Sequence, residues 1–283
     1  MKYVPKELQE NVNVTPEHPL VNFAYLLSTV VIASLLIFMI LGFIAEWLTT
    51  RMSPKLETEI GQMLISVVEE QEIQEDKRIK YLEELLNSLP IAEETIRLPL
   101  TIHLIESEVV NAAIMAGGHV FINTALLETV KSENELAFVL AHELGHFQAR
   151  DPLKSLGRSL VFVSIISLLN FSESNMSNLV VLTGQLNALH YSRKQETIAD
   201  FYGLARVVNR YGHGGDSLDF FKRQQEEEGK GKLVQISESF STHPLSGARI
   251  DELNIKVTEQ GWSMQGDITP LPKWLHCRNM EEC

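Results

Sequence analysis

From Phe23 to Ala45 the chain reads FAYLLSTVVIASLLIFMILGFIA, twenty-three residues without a charge. At 1.5 Å per residue that is about 34 Å of helix, enough to cross a bilayer core of about 30 Å. Tyr25 and Trp47 lie near its two ends, where amphipathic rings favour the membrane–water interface. A cleaved signal peptide is the rival reading. Its apolar region is usually shorter and followed by a small-x-small cleavage site, and LGFIAEWLTTRM offers none. The expectation is a retained single-pass anchor over residues 23–47, behind a tail of residues 1–22, with residues 23–45 in contact with lipid. Lys2 and Lys6 precede the span and Arg51 and Lys55 follow it, so the positive-inside rule is nearly balanced. It leans slightly to an N-terminus inside and the larger, C-terminal part outside the cytoplasm. Cys277 and Cys283, six apart, would there close a small disulfide; two free thiols are the alternative.

The remainder has the composition of a folded domain. The chain of 283 residues is 45% hydrophobic, which excludes wholesale disorder. Lys+Arg at 24 against Asp+Glu at 37 argues against a nucleic-acid partner, which would require a basic face. Two cysteines cannot build a disulfide scaffold or a four-cysteine zinc site. Neither a GxxxxGK[ST] loop nor a GxGxxG is present.

After Pro54, apolar residues at helical spacing (Leu56, Ile60, Met63, Leu64, Val67, Val68, then Ile79, Leu82, Leu85, Leu86, Leu89) predict a pair of amphipathic helices. Pro90 and Pro99 bracket a break. Ile102 and Leu104 alternate with polar neighbours, and VVNAAIMA and GGHVFIN predict two strands around Gly117-Gly118, giving a small sheet of about three strands. A short helix is expected over Thr124–Val130. Ser132 and Glu135 form an S-x-x-E capping box opening a helix that Asp151-Pro152 closes. Gly145 within it costs about 1 kcal/mol relative to alanine, so something there requires a missing side chain. The apolar runs Leu160–Leu169 and Leu179–Leu189 are too short to span a membrane. They predict buried core helices, with shallow membrane contact as the alternative. The segment Lys222–Lys232 reads as a charged, glycine-containing loop.

His142-Glu143-Leu144-Gly145-His146 is an HExxH. On a helix, residues four apart lie about 40° around the axis and about 6 Å along it, so both histidines reach one metal ion. Glu143, about 100° around from His142, touches water on that metal without being a ligand. A catalytic zinc takes three protein ligands and keeps one position open. Glu196 and Asp200, in ETIAD, share a helix face. One carboxylate binds metal while the other holds a ligand histidine in its tautomer, and Ala199 between them lets helices approach.

HELGH followed by SRKQETIAD, preceded by NAAIMAGGHVFINTALLE and followed by STHPLSGARI, resembles the HtpX-like and CAAX-prenyl-protease-like zinc metallopeptidases from about Leu56 to Leu253. With one convincing span, the chain is similar to the compact branch of BepA-type quality-control peptidases. Met115-Ala116 stands where that family often has a proline, which bears on the local strand geometry. The resemblance implies an α+β, mainly helical zincin-like metalloprotease domain over residues 54–256 with a small β-sheet, one transmembrane helix before it and a tail of residues 257–283 after it. It implies one zinc held by His142, His146 and Glu196, with Glu143 as the catalytic carboxylate and Asp200 supporting a ligand. His243 and Tyr191 are candidates for the donor that stabilises the oxyanion, and His243 is also a candidate plug of a latent site. Arg249 is a candidate partner of a site carboxylate.

The expected function is a membrane-anchored zinc endopeptidase acting on membrane-associated or misfolded proteins. An extended substrate would pair with the strand region at Asn111, Ala112, Ala113, Gly117 and Gly118. A zinc-stabilised non-hydrolytic binding module and a prenyl-protein processing protease are the alternatives. The first leaves Glu143 without a purpose, and the second calls for a chamber of several spanning helices. His103, His119, His190 and His213 lack a partner at ligand spacing and read as ordinary residues.

Overall fold

A computed structural model describes residues 18–65, 72–73, 76–89, 98–169, 191–229, 243 and 247–277. The apolar run forms α1 (Pro19–Arg51), with proline in its first turn, where a missing N–H costs nothing. Among the described residues it is the one helix long and apolar enough to cross a membrane. Large apolar side chains stand exposed along it, Phe43 at 72% and Trp47 at 53%, as a lipid-facing helix would show them.

The predicted helix pair is α2 (Pro54–Ile65) and α3 (Lys77–Ser88), with a two-residue strand, β1 (Glu72–Ile73), between them. Asp76 caps α3 by accepting from the Arg78 N–H at 2.8 Å, and Leu82, Leu85 and Leu86 enter the core. Then come β2 (Thr101–Ile105), β3 (Ala112–Met115) and β4 (His119–Asn123). The sheet has four strands in the order β1-β2-β4-β3. β2 and β4 are parallel and the other two pairings antiparallel, so β3 is an edge. Gly117 and Gly118 turn the chain between β3 and β4 with φ of 88° and 85°, a region open to glycine.

α4 (Thr124–Thr129) leads to α5 (Glu133–Gln148), which is buried from Glu133 to Phe147 and forms the axis of the core. Ser132 caps it as predicted, accepting from the Glu135 N–H at 3.2 Å. The reciprocal half of the box is different. The Glu135 carboxylate takes the Lys131 N–H and a bidentate Arg223 guanidinium at 2.6 and 2.7 Å, a stronger pairing than one backbone amide.

α6 (Asp151–Leu169) begins at the predicted stop. Of the run Leu160–Leu169, the side chains of residues 162–169 lie outside those described. Arg150 lies beside Thr49 and Met52, and Gly157 faces Ala45, so α6 runs antiparallel along α1. Leu160 is 46% exposed. The run Leu179–Leu189 lies outside the described residues, as does His190. α7 (Arg193–Tyr211) opens with a complete capping box, Ser192 with Gln195, and ends at Gly212 in the left-handed region. α8 (Asp219–Gly229) occupies most of the segment expected as a charged loop. Phe220 and Phe221 bury one side of it and Arg223 ties it to α5; two apolar residues were too few to reveal a period. α9 (Gly247–Gln260) follows, and residues 262–277 fold back on the domain, with Leu275 in the core and the Thr269 carbonyl accepting the Glu133 N–H.

Two anchor points fix α5 in this frame. At its exit, Arg150 adopts φ 56° and its guanidinium donates to the Thr49 and Met52 carbonyls at the end of α1, with buried Glu57 of α2 at 3.8 Å. The end of the apolar helix is thereby tied to the end of α5. At its entry, Glu133 accepts from Tyr81 of α3 at 2.6 Å and from Tyr211 and Arg210 of α7 at 2.7 and 2.8 Å. Burial alone would raise the Glu133 pKa, but these three donors outweigh it and hold the carboxyl below its usual range. A depressed folded value contributes stability above the unfolded pKa of about 4.3, lost as pH falls through the folded value. Thermal melts of Glu133→Gln should therefore show a lower Tm at pH 7 and a gap from wild type that closes as pH falls below about 4.

Candidate metal centre

The site exists because α5 and α7 approach to within backbone contact. A Cβ on Gly145 would lie 2.8 Å from the Ala199 Cα, and one on Gly203 would lie 3.0 Å from the His142 nitrogen. The missing side chain inferred at Gly145 and the small one at Ala199 thus face each other. That approach carries Glu196, in the first turn of α7, to the two histidines of α5. His142, His146, Glu196 and His243 are all buried, and their ligand atoms lie within 4.8 Å of one another.

The inner face of this cluster is made of acceptors. The His142 and His146 Nε2 atoms are 3.1 Å apart, and each is 3.5 Å from a Glu196 oxygen. On the outer side, His146 Nδ1 bonds Asp151 Oδ2 at 3.0 Å and His142 Nδ1 lies 3.0 Å from Asp200 Oδ1. A neutral ring whose Nδ1 proton faces a carboxylate turns a bare Nε2 lone pair inward. Burial lowers the His146 pKa more than Asp151 raises it, which keeps that ring neutral. Two lone pairs turned toward one carboxylate leave a gap that a cation fills favourably. The 3.1–3.5 Å separations are close to the roughly 3.3 Å edge of a tetrahedron with bonds of about 2.0–2.1 Å, the size of a zinc site. Charge points the same way. Glu143, Asp151, Glu196 and Asp200 are buried against Arg249 and Lys154, an excess that a divalent ion balances. The residues present fit a zinc ion.

Asp200 and Glu196 are held by α9. Arg249 donates to Asp200 through Nε and Nη2, both at 2.7 Å, and its Nη2 is 2.9 Å from Glu196 Oε2. Burial would raise both carboxyls. His243, His142 and Arg249 outweigh it at Glu196, and His142 and Arg249 outweigh it at Asp200, so both stay below the ordinary range. His243 Nδ1 lies 2.9 Å from Glu196 Oε1 and 3.4 Å from His142 Nε2, at the fourth corner of the cluster. The Tyr191 ring stacks on His146 with centroids 4.2 Å apart, and burial pushes its hydroxyl pKa up. Glu143 turns toward β3, where its Oε2 accepts the Ile114 N–H at 3.2 Å; its Oε1 has no hydrogen-bond partner among the described residues.

Ala112 and Ala113 lie on the edge strand with Asn111 just before it, whereas Gly117 and Gly118 belong to the turn and pack on Gly61 and Pro99. Asp151, read from sequence only as a helix stop, is the partner of His146. Its position five residues after that histidine, one helical turn plus a break, was the available signal. His103 and His119 do have partners. His103 bonds His119 at 3.0 Å across the parallel β2–β4 pairing and Glu72 at 2.9 Å across the antiparallel β1–β2 pairing. His213 closes a local loop through the Gly215 N–H and the Asp267 carbonyl.

Asp151→Asn should lower zinc affinity about 10- to 100-fold in a chelator competition, the usual range for a carboxylate that orients a ligand histidine. Gly145→Ala should lower both zinc content and Tm, because the added methyl meets backbone rather than a flexible side chain.

The model of Peptidase family M48 matches residues 72–256. The chain is 31% identical over 156 residues to mitochondrial metalloendopeptidase OMA1 of Schizosaccharomyces pombe, covering 54% of this chain and 45% of that protein. It is 30% identical over 149 residues to the Saccharomyces cerevisiae protein of the same name, covering 51% and 42%. To the beta-barrel assembly-enhancing protease of Yersinia pestis it is 26% identical over 191 residues, covering 64% and 39%. The chain thus spans less than half the length of these curated relatives. The matched region contains HELGH, ETIAD and the helices that bring them together, and the chain belongs to peptidase family M48.

Proposed function

We propose that this chain is a membrane-anchored zinc endopeptidase in which His142, His146 and Glu196 hold the metal and Glu143 is the catalytic base. The observation that carries this reading is the buried convergence of two imidazole lone pairs and a carboxylate, with every outward-facing nitrogen committed to Asp200 or Asp151. Two relatives named as a metalloendopeptidase and a protease support it. Zinc, when bound, supplies a Lewis acid that polarises the scissile carbonyl and acidifies water.

The chain's own residues do the rest. The Ile114 N–H fixes one oxygen of Glu143 and leaves Oε1, with His243 Nε2 at 3.8 Å, without a hydrogen bond and able to take the proton of the attacking water and return it to the departing amine. A carboxylate held this way is what a purely structural zinc site would not require. β3, the edge strand beside α5, offers the backbone of Asn111–Ala113 for a substrate in extended form. Backbone pairing reads conformation rather than side chains, which suits unfolded or misassembled proteins. Arg249 neutralises Glu196 and Asp200 so that both stay charged in a dry site, and Tyr191 holds the plane of His146. We assign His243 the role of plug rather than oxyanion donor, because its Nδ1 sits among the ligand atoms themselves. The peptidase domain is placed outside the cytoplasm, a reading supported by Cys277 being disulfide-bonded; Cys283 lies outside the described residues.

Full-length chain in detergent should cleave unfolded casein, lose activity to a chelator and regain it with zinc. Glu143→Gln should keep its zinc and lose at least about 100-fold in kcat. His243→Ala should raise the rate of the resting enzyme. Stoichiometric zinc without cleavage in either wild type or His243→Ala would instead support the zinc-stabilised binding module.

A further inference from the structure

A cavity of about 500 Å³ opens between α1, α6 and the start of α7, with Lys154, Arg158 and Lys194 on its walls beside Glu46, Asp151 and Ser192. Such a gathering of cations is unexpected in a chain of net charge −13. Asp151 is already committed to His146 and Lys154, which leaves Arg158 and Lys194 facing one further carboxylate on the wall, Glu46. α7 starts at the same wall, adding the positive end of its dipole.

The position of the cavity selects its ligand. Gly157 packs against Ala45, so Arg158 stands level with the point where α1 passes from its apolar run to Glu46, Trp47 and Arg51. α6 makes the opposite change at that level, from Lys154 and Arg158 to the apolar run that starts at Leu160. Two antiparallel helices that switch between charged and apolar at one height mark a membrane surface, and the cavity lies on it. Lys and Arg at that height extend their apolar stems along the helices and present their charges to the headgroup layer.

We propose that this cavity seats the phosphate of an anionic phospholipid headgroup, held by Lys154, Arg158, Lys194 and the first turn of α7. The proposal rests on the reading of α1 as a membrane anchor. A seated headgroup fixes the rotation of the peptidase domain about its anchor and so the direction in which β3 faces.

The test uses full-length chain in nanodiscs of phosphatidylcholine with and without phosphatidylglycerol, followed by native mass spectrometry of the lipid retained. Wild type should retain phosphatidylglycerol in preference to phosphatidylcholine. Arg158→Gln with Lys194→Gln, both outside the metal centre, should reduce that retention by about fivefold per charge removed. The double variant should melt with wild type in phosphatidylcholine alone, which separates lost binding from lost folding. Equal retention by wild type and variant, or no preference in wild type, would overturn the site. A Tm rise with inorganic phosphate alone equal to that with phosphatidylglycerol would assign the cavity to a soluble phosphate and overturn the lipid. Failure of the chain to float with phosphatidylcholine vesicles would refute the anchor itself, an outcome distinct from the loss of lipid preference.

Discussion

The contact on which the structure depends is the approach of α5 to α7 at Gly145 and Gly203. Glu196 carries a short side chain, and at an ordinary interhelical distance of 8–10 Å it would fall short of two histidines on the neighbouring helix. Removing a Cβ from each helix at the crossing lets Ala199 rest on Gly145 and Gly203 rest on His142. Everything chemical is arranged around that crossing. The two imidazoles point from α5, the carboxylate comes from α7, and α9 delivers Arg249 across both Asp200 and Glu196.

A dry site with this many carboxylates is stable only if each is paired or hydrogen-bonded. The structure meets that demand in two layers. Asp200 and Asp151 face the outer nitrogens of the ligand rings and are in turn met by Arg249 and Lys154. The inner layer gathers the two Nε2 atoms of His142 and His146 around the Glu196 carboxylate, which Arg249 meets at Oε2 and His243 at Oε1. An excess of carboxylates in so dry a place favours a cation among them.

The centre is also joined mechanically to the apolar helix. Residues 150 and 151 are consecutive: the first binds the carbonyls that end α1 and the second binds His146. α2, which continues from α1, presses Gly61 onto the Ala116 carbonyl and so braces the turn after the edge strand. α1 is therefore part of the scaffold of the site as well as a tether, and a chain cut at Arg51 would lack the Thr49 carbonyl that Arg150 binds.

The sequence alone determined whatever depends on local spacing. An uncharged run of sufficient length, a capped helix carrying HExxH, and two carboxylates four apart on a second helix are each readable because helical geometry converts separation along the chain into position in space. Gly145 and Ala199 were legible as small residues with a purpose, since an interior glycine has a helix cost that calls for a reason. Tertiary structure alone decided what joins distant segments. It brought His243 to within 3.4 Å of His142, 101 residues away along the chain, paired β2 with β4 so that His103 meets His119, and laid α6 along α1. It also turned Asp151 from a helix stop into the partner of His146, and made a helix of Asp219–Gly229. Apart from the five-residue step from His146 to Asp151, no period or spacing encodes these contacts. They follow from which faces the folded chain buries together, and that is settled by packing over the whole domain.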